Sequence, residues 1–149
     1  MTHQARLPYF KLAPKAFQAM YALSNAIRKE LLGVRLTEIV FLRVSQINGC
    51  AYCMDMHWRD LVQQGMDPRH INAVAGWREA SWFTERERAA LRWAEIVSNI
   101  PQRDPSDEEF AALREHFSDE EIAELAFAVA TINSWNLLSV SFRNPVPVE

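Results

Sequence analysis

Apolar side chains recur along most of this chain at intervals of three and four positions, the period of an α-helix that is buried on one face. The first such stretch begins near Pro14, because proline suits the first helical position, and Gly33 marks its predicted end. The residues on its apolar face are Phe17, Met20, Tyr21, Ile27 and Leu31. We therefore expect a continuous first helix between Pro14 and Gly33.

Residues 36–50, LTEIVFLRVSQINGC, have a pattern that fits either a strand or a helix. Their β-branched residues are typical of a strand, yet the apolar positions also form one broad helical face. Because a lone strand without a partner is implausible, we expect a helix that is capped by Thr37 and ended by the Asn-Gly pair at 48–49. A second helix is expected to follow at once and to end at Gly65.

Capping boxes mark the beginnings of three later helices. In each of them a Ser or Thr stands three residues before a Glu: Thr84 with Glu87, Ser106 with Glu109, and Ser118 with Glu121. Asp67 and Pro68 provide the N-cap and first position of a shorter helix, whereas the tail RNPVPVE contains two prolines and is predicted to be non-helical. Strand and hairpin signals are nearly absent, so the sequence predicts an all-α fold of about seven helices.

Composition narrows the class of protein. The 149 residues fit a single domain, 1–149, long enough to bury about 68–70% of its unfolded surface. The net charge is −3 and basic residues are interleaved with acidic ones, which disfavours a nucleic-acid partner. We expect no membrane-spanning run, and the N-terminus lacks the apolar core of a secretion signal. A cytoplasmic location is therefore expected, where a close pair of cysteines is more often catalytic, redox-active or metal-binding than a structural crosslink.

The segment NGCAYCMDMH, residues 48–57, contains both cysteines of the chain. On a helix, Cys50, Cys53 and His57 share one face, and Cys53 and His57 are neighbours one turn apart. Cys50 falls at the expected N-terminus, where unpaired N–H groups and the helix dipole favour a thiolate. The nearby histidine instead favours ionisation of Cys53. The three residues supply what a dithiol redox cycle requires, namely a nucleophile, a resolving thiol and a proton carrier.

Other interpretations of these residues stay open at this point. Two cysteines in a helix are often buried small apolar residues without any chemistry. A zinc site needs four ligands, so His3, His70, His116 or a carboxylate would have to complete the set. Glu38 lies in an otherwise apolar segment, and at the start of a helix it would stabilise the helix dipole without any other role. Because the chain has no second CxxC and no HxxxH motif, we expect neither a metal nor a cofactor.

The segment EIVFLRVSQINGCAYCMDMH, residues 38–57, resembles the core of the alkylhydroperoxidase D (AhpD)-like proteins, within the carboxymuconolactone decarboxylase superfamily. In that pattern a Glu is followed after eleven residues by CxxC and, three residues later, by His. Here the matching residues are Glu38, Cys50, Cys53 and His57. The resemblance extends more loosely to INSWNLLSVSFRNP near the C-terminus. It implies an all-α fold, homo-oligomers such as trimers or hexamers, and reduction of hydroperoxides.

The resemblance also implies roles for the matching residues. Cys53 would be the peroxidatic cysteine, which a peroxide oxidises to a sulfenic acid, and Cys50 would condense with it to a disulfide. Glu38 and His57 would form a proton relay, and an external dithiol such as a lipoylated or thioredoxin-like protein would complete the cycle. Tyr52 stands where some members have a relay histidine, and a phenol is a poor proton shuttle at neutral pH.

Residues outside this motif support weaker expectations. The tryptophans can line a pocket for an organic peroxide, but such residues more often belong to a core or an interface; they are Trp58, Trp77, Trp82, Trp93 and Trp135. Arg43 can pair with Glu38 or with another acid. Asn133, Asn136 and Arg143 belong to the C-terminal resemblance.

The sequence is also compatible with three functions other than hydroperoxide reduction. One is a dithiol redox sensor or disulfide oxidoreductase without efficient peroxidase turnover. Another is a decarboxylase-like enzyme of the superfamily, although such members do not rely on a CxxC pair. The last is a structural oligomer with inert thiols.

Overall fold

The computed structural model describes residues 4–148 and is helical, with no β-strand among those residues. Its elements are α1 Tyr9–Leu12, α2 Pro14–Ala26, α3 Lys29–Leu32, α4 Val34–Ile47, α5 Ala51–Gln63, α6 Pro68–Asn72, a 3₁₀ turn Ala73–Gly76, α7 Glu85–Val97, α8 Asp107–Arg114 and α9 Asp119–Phe142. Both α1 and α3 are single turns of 4 residues. The other helices match the number expected from the sequence, and the all-α fold class is confirmed.

Helix α4 lies at the centre of the fold and packs against α5, α7 and α9. Val40 and Val44 are completely buried on one side of it, and Ile39 is completely buried on another. This explains the ambiguous sequence pattern, since a helix that is surrounded on most sides has no polar face to reveal its period. Tertiary packing around α4 stabilises its β-branched residues in a helix.

Two apolar clusters fill the space around α4. The first lies between α4, α7, α8 and α9 and includes Val40 and Leu125. The second lies between α4, α5, α6 and α7 and includes Ile39 and Leu61. Because α4 and α7 contribute side chains to both clusters, they join the two halves of the core.

The first predicted helix is interrupted in the structure. Helix α2 ends at Ala26, Ile27 is extended (φ −66°, ψ 121°), and α3 follows as a separate turn. The break places the Ile27 side chain in the core, where it is 7% exposed. The Arg28 backbone N–H then donates a hydrogen bond to Glu124 Oε2 of α9 (3.1 Å). Since α2 has no buried residue, its apolar spacing does not mark a core face.

The predicted N-cap of α4 is also wrong. The helix begins at Val34, directly after Gly33, whose φ of 97° suits glycine. Thr37 lies inside the helix, and its hydroxyl donates to the Gly33 carbonyl one turn back (3.0 Å). Glu38 therefore lies in the second turn of α4, so a favourable interaction with the helix N-terminus does not explain its presence.

The remaining sequence signals for helix ends are confirmed. All three capping boxes form, with both reciprocal hydrogen bonds present in α7, α8 and α9. Asp67 caps α6 through its side chain, and Asn48 caps the C-terminus of α4. These local hydrogen bonds need no tertiary partner, which is why the sequence reveals them.

Among the described helices, α9 has the length and composition of a membrane span, contrary to the expectation that no such run is present. It nevertheless packs against α2, α3, α4, α5, α7 and α8. Leu125, Ala128 and Ile132 on this helix are buried in the first cluster. Burial in the core accounts for only part of its apolar composition, because Phe127 and Leu137 on the same helix are exposed.

Candidate functional site

A tight turn between α4 and α5 positions the two cysteines. Gly49 adopts a positive φ of 66°, and the Cys50 N–H donates to the Ser45 carbonyl (3.0 Å). Cys50 is the N-cap of α5, and its sulfur accepts a hydrogen bond from the Cys53 backbone N–H (3.3 Å). The expected position of the CxxC at the N-terminus of a core helix is confirmed.

Cys50 and Cys53 are joined by a disulfide, with their Cα atoms 5.3 Å apart. The two residues are buried, at 1% and 2% exposed. A disulfide offers no thiolate for zinc. Of the other histidines considered as zinc ligands, His70 stacks on the Trp82 ring at 4.3 Å, and His3 lies outside the described residues.

One turn after Cys53, His57 contacts a carboxylate from the neighbouring helix. Its Nδ1 lies 2.8 Å from Glu38 Oε2, and the other carboxylate oxygen, Oε1, accepts from Lys29 Nζ at 2.6 Å. Glu38 is 2% exposed, so α4 carries a charged group inside the protein where only paired carboxylates are stable. The structure thus brings Glu38, His57 and both cysteines together and adds Lys29, which the sequence analysis does not identify.

The contacts of Glu38 determine which nitrogen of His57 holds the proton. Burial raises the pKa of Glu38, but hydrogen bonds from His57 and Lys29, together with the positive charge of Lys29, outweigh burial and hold this pKa below its ordinary value. A carboxylate only accepts hydrogen bonds, so the His57 Nδ1 must donate. In a neutral imidazole the other nitrogen, Nε2, is then a hydrogen-bond acceptor. This buried atom has no hydrogen-bond partner among the residues that the structure describes.

Asp60 is a further acid beside His57. Its Oδ2 lies 3.9 Å from His57 Nδ1, and burial together with the negative charge of Glu38 raises its pKa. Ligand atoms of Glu38, His57 and Asp60 all lie within 4.8 Å of one another, a spacing that a metal ion can bridge. The Lys29 ammonium on Glu38 opposes a second cation there. Asp60 follows His57 by three residues on one helix, so helical spacing was a signal that could have identified it.

Three asparagines anchor the turn before Cys50 to α9. Asn48 Nδ2 donates to Asn133 Oδ1 (2.8 Å) and to Asn136 Oδ1 (3.1 Å). The Asn136 amide donates to Ser45 Oγ (3.0 Å), within the last turn of α4. Asn133 and Asn136, which belong to the C-terminal resemblance, therefore hold the turn between α4 and α5 in place through Asn48 and Ser45.

Two other residues singled out in the sequence lie away from the cysteines. Arg43 pairs with Glu95, with Nε 2.8 Å from Oε1, and so it pairs with another acid rather than with Glu38. Arg143 is the left-handed C-cap of α9.

A cavity of about 740 Å³ lies against Cys53 and His57. Helices α5 and α9 form its walls, and residues 5–10 with α2 cover its other side. Of the two cysteines, Cys53 lines the cavity, and Tyr52 lies beside it. Trp135 is the one tryptophan among those singled out that reaches this cavity. The apolar N-terminal residues of the lining were not expected, because nothing in their local pattern indicates what they cover.

Comparisons with known proteins agree with this architecture. A sequence profile of the Carboxymuconolactone decarboxylase family matches residues 14–95. The uncharacterised protein YdfG of Bacillus subtilis is 32% identical over 139 residues, which cover 93% of this chain and 95% of that protein.

Two solved structures have the same fold. One is a protein of unknown function from Agrobacterium tumefaciens with a suggested role as an antioxidant defence protein AhpD. It has a TM-score of 0.93 and 42% identity, over 98% of this chain and 100% of the other. The second is a peroxidase-related protein with an alkylhydroperoxidase AhpD core from Ralstonia eutropha, with a TM-score of 0.79 and 26% identity, over 92% of this chain and 74% of the other. With the CxxC, His57 and Glu38 brought together in an all-helical core, these likenesses show that the chain belongs to the carboxymuconolactone decarboxylase family, among its AhpD-like members.

Proposed function

We propose that the protein is a thiol-dependent peroxidase that reduces organic hydroperoxides with Cys50 and Cys53. One observation carries this proposal: a CxxC disulfide lies beside a buried His57 whose Nδ1 is bonded to Glu38 and whose Nε2 is free. Such a histidine can take a thiol proton and return it to a leaving group. The antioxidant role suggested for the Agrobacterium relative agrees with this chemistry.

In the reduced protein, His57 Nε2 accepts the proton of the Cys53 thiol. The Cys53 thiolate attacks the terminal oxygen of the hydroperoxide, so that a sulfur–oxygen bond forms while the oxygen–oxygen bond breaks. The alkoxide that leaves takes the proton from His57 and departs as an alcohol. Because Glu38 stays ionised, it stabilises the imidazolium that exists between these two proton transfers.

Cys50 completes the oxidative half of the cycle. Its sulfur attacks the Cys53 sulfenic acid, the sulfur–oxygen bond breaks, and hydroxide leaves with the Cys50 proton as water. An external dithiol then reduces the disulfide by thiol–disulfide exchange, giving up two electrons and two protons and becoming a disulfide itself. We assign this reductant to the class of lipoylated or thioredoxin-like proteins and the whole cycle to the cytoplasm.

The protein is further proposed to work as a homo-oligomer. Large apolar side chains are exposed on two adjacent helices, Tyr21 and Leu23 on α2 and Phe127, Leu137 and Val140 on α9. Exposed apolar surface of this kind is typical of an interface. Sedimentation of the purified chain measures the subunit number directly, and a monomer at micromolar concentration would contradict the proposal.

The decisive experiment is stopped-flow oxidation of the fully reduced protein by cumene hydroperoxide, followed by intact mass measurement. The wild type is expected to lose two hydrogens quickly. Cys53→Ser should be inert, and Cys50→Ser should stop at a sulfenic acid that dimedone traps. His57→Gln should slow the reaction about 10²–10⁴-fold, the usual contribution of a general acid–base group. His70→Gln, which replaces a histidine stacked on Trp82, is the matched control and should react as the wild type does.

Two outcomes would overturn the proposal. If both thiols of the wild type stay reduced for minutes in excess peroxide, the protein is no peroxidase. If instead the disulfide exchanges with other dithiols at catalytic rates while peroxide reacts slowly, the protein is a disulfide oxidoreductase or a redox sensor.

A further inference from the structure

The cavity beside Cys53 is apolar along most of its wall but carries a small charged group. Among the described residues of its lining, Lys29 and Asp60 have charged side chains, and Asp60 lies beside His57. Cys53 is the member of the disulfide that lines the cavity. A molecule that attacks the disulfide from the cavity is therefore exposed to the field of these charges.

The positive charges near Asp60 are paired with other acids. Lys29 Nζ lies 2.6 Å from Glu38 Oε1 and so neutralises that buried carboxylate. Arg59, which precedes Asp60 in the chain, has its Nη2 2.8 Å from Asp55 Oδ2. Because each of these ion pairs has a net charge of zero, neither balances the charge of Asp60.

Asp60 itself has no lysine or arginine within ion-pair distance in the part of the chain that the structure describes. Its Oδ2 lies 3.9 Å from His57 Nδ1, a nitrogen that already donates to Glu38. When His57 is neutral, the group formed by Lys29, Glu38, His57 and Asp60 has one net negative charge. The Asp60 side chain is 42% exposed, so this charge is accessible from the cavity.

We infer that Asp60 gives the cavity a charge preference and disfavours anionic thiols as reductants of the Cys50–Cys53 disulfide. The attacking species in thiol–disulfide exchange is a thiolate, and a carboxylate on the same reductant adds to the repulsion. Asp60 follows Cys53 by two turns of α5, about 10 Å along the helix. At that distance one unit charge changes a rate roughly twofold to tenfold, for effective dielectric constants between about 80 and 25.

The inference rests on the dithiol cycle of the proposed function and concerns its reductive half. A thiolate of the reductant attacks the Cys53 sulfur, the bond to the Cys50 sulfur breaks, and Cys50 leaves as a thiolate that takes up a proton. The second thiol of the reductant then attacks the mixed disulfide and releases Cys53, so the protein gains two electrons and two protons. Neutral and cationic dithiols are the preferred class of reductant, whereas glutathione, with its net negative charge, belongs to the disfavoured class.

Two dithiols that differ by one charge test this preference. Dihydrolipoamide is neutral, and dihydrolipoate has a carboxylate at the end of the same carbon chain. Each reduces the disulfide form at neutral pH and low salt, and intact mass after acid quenching follows the gain of two hydrogens. Bis(2-hydroxyethyl) disulfide, reduced by the same reagents, gives the intrinsic ratio of their rates. Relative to that ratio, the protein should prefer dihydrolipoamide roughly twofold to tenfold. The preference should shrink in about 1 M salt, where the Debye length is about 3 Å.

Substitutions at Asp60 locate the source of the preference. Asp60→Asn should bring the ratio of the two rates close to the intrinsic ratio, whereas Asp60→Glu keeps the charge and should retain the preference. Glu79→Gln removes an exposed acid outside the cavity lining and should behave as the wild type does. An equal preference in Asp60→Asn and in the wild type would overturn the inference. So would a wild type that reduces at the intrinsic ratio at low salt.

Oxidation by cumene hydroperoxide separates this inference from the proposed function, because the reduction assay contains no peroxide. If peroxide oxidises the reduced protein while the two dithiols show only their intrinsic ratio, the function holds and the charge preference is wrong. If the charge preference is present while peroxide does not react, Asp60 selects the partners of a disulfide oxidoreductase and the peroxidase function is wrong.

Discussion

At the scale of single residues, the chain from Lys29 through Glu38 to His57 sets the chemistry of the candidate site. Lys29 and His57 occupy opposite oxygens of one buried carboxylate, at 2.6 and 2.8 Å. Burial raises the pKa of Glu38, but the two hydrogen bonds and the positive charge of Lys29 outweigh burial and keep this carboxylate ionised. An ionised Glu38 accepts a hydrogen bond from His57 Nδ1 and leaves Nε2 without a proton in the neutral imidazole. In the proposed peroxidase cycle Lys29 therefore acts on the thiols through Glu38 and His57, as a positioning residue.

Replacing Lys29 tests this chain of contacts. In Lys29→Met the carboxylate loses one of the groups that hold its pKa down, so the pKa of Glu38 should rise. Since the proposed relay requires ionised Glu38, the acid limb of thiol oxidation by peroxide should move to higher pH. The measurement is a pH titration of the Glu38 carboxyl carbon by ¹³C NMR, with the signal assigned from Glu38→Gln.

Two further substitutions control for charge and for structure. Lys29→Arg keeps a cation beside Glu38 and should restore the position of the acid limb. Lys15→Met removes an exposed lysine from α2 and should change neither titration. If Glu38 titrates at the same pH in Lys29→Met as in the wild type, Lys29 has no part in the relay.

At the scale of elements, the turn between α4 and α5 is held by α9. Asn136 is completely buried and bonds to two residues on the α4 side of the turn, to Ser45 in the last turn of α4 and to Asn48 just before Gly49. Asn133 adds a second contact to Asn48. Helix α9 thus fixes the position of Cys50, although no residue of that helix belongs to the CxxC motif.

Removing the Asn136 amide should loosen the cysteine turn. In Asn136→Ala, Ser45 and Asn48 each lose a buried partner, and the free energy of unfolding should fall by about 1–3 kcal/mol. The disulfide should also be reduced faster by dithiothreitol, because the turn that shields it opens more often. Urea unfolding and the time course of reduction measure the two effects.

Ser134→Ala is the matched control on the same helix. The Ser134 hydroxyl is exposed and donates only to the Ala130 carbonyl of its own helix (3.0 Å). Both measurements should therefore stay close to the wild type. Equal reduction rates in Asn136→Ala and Ser134→Ala would show that α9 does not restrain the turn.

At the scale of the whole molecule, Glu95 joins several elements through one half-buried carboxylate. It accepts hydrogen bonds from Arg43 of α4 (2.8 Å), from the Trp77 indole (2.9 Å) and from Arg78 (2.6 Å). Burial raises the pKa of Glu95, but the hydrogen bonds from Arg78, Trp77 and Arg43 outweigh burial and lower it. A carboxyl group whose pKa is lowered by folding stabilises the folded protein fully at pH values above the pKa of that group in the unfolded chain, about 4.3 for Glu. This stabilisation is lost as the pH falls through the pKa of the group in the folded protein.

Glu95→Gln should therefore lower the free energy of unfolding more at neutral pH than at acid pH. At pH 7 it leaves two arginines without their counter-charge and should cost about 1–3 kcal/mol. As the pH falls through the lowered folded pKa of Glu95, the wild-type carboxylate is itself protonated, so the difference between the two proteins should shrink. Urea unfolding at pH 7 and at a series of acid pH values measures this difference, and the exposed Glu79→Gln is the control. A difference that is the same at every pH would show that Glu95 has an ordinary pKa in the folded state.

The sequence by itself determined those parts of this protein that depend on neighbouring residues. Capping boxes, the end of α4 and the all-α class are readable because each rests on hydrogen bonds or spacings within a few positions. The common face of Cys50, Cys53 and His57 follows from a single helix in the same way. Glu38 joined this group only through the family resemblance, because its partner lies on another helix.

Only the tertiary structure decided how distant segments meet. The break at Ile27 exists because the core of α4, α7, α8 and α9 takes up that side chain, and no local signal announces it. Lys29 follows the break, and its pairing with Glu38 depends on it. The cavity beside Cys53 likewise joins residues 5–10 to α9, which are more than a hundred positions apart in the chain. Side chains that far apart gain their contacts from packing, which local spacing cannot encode.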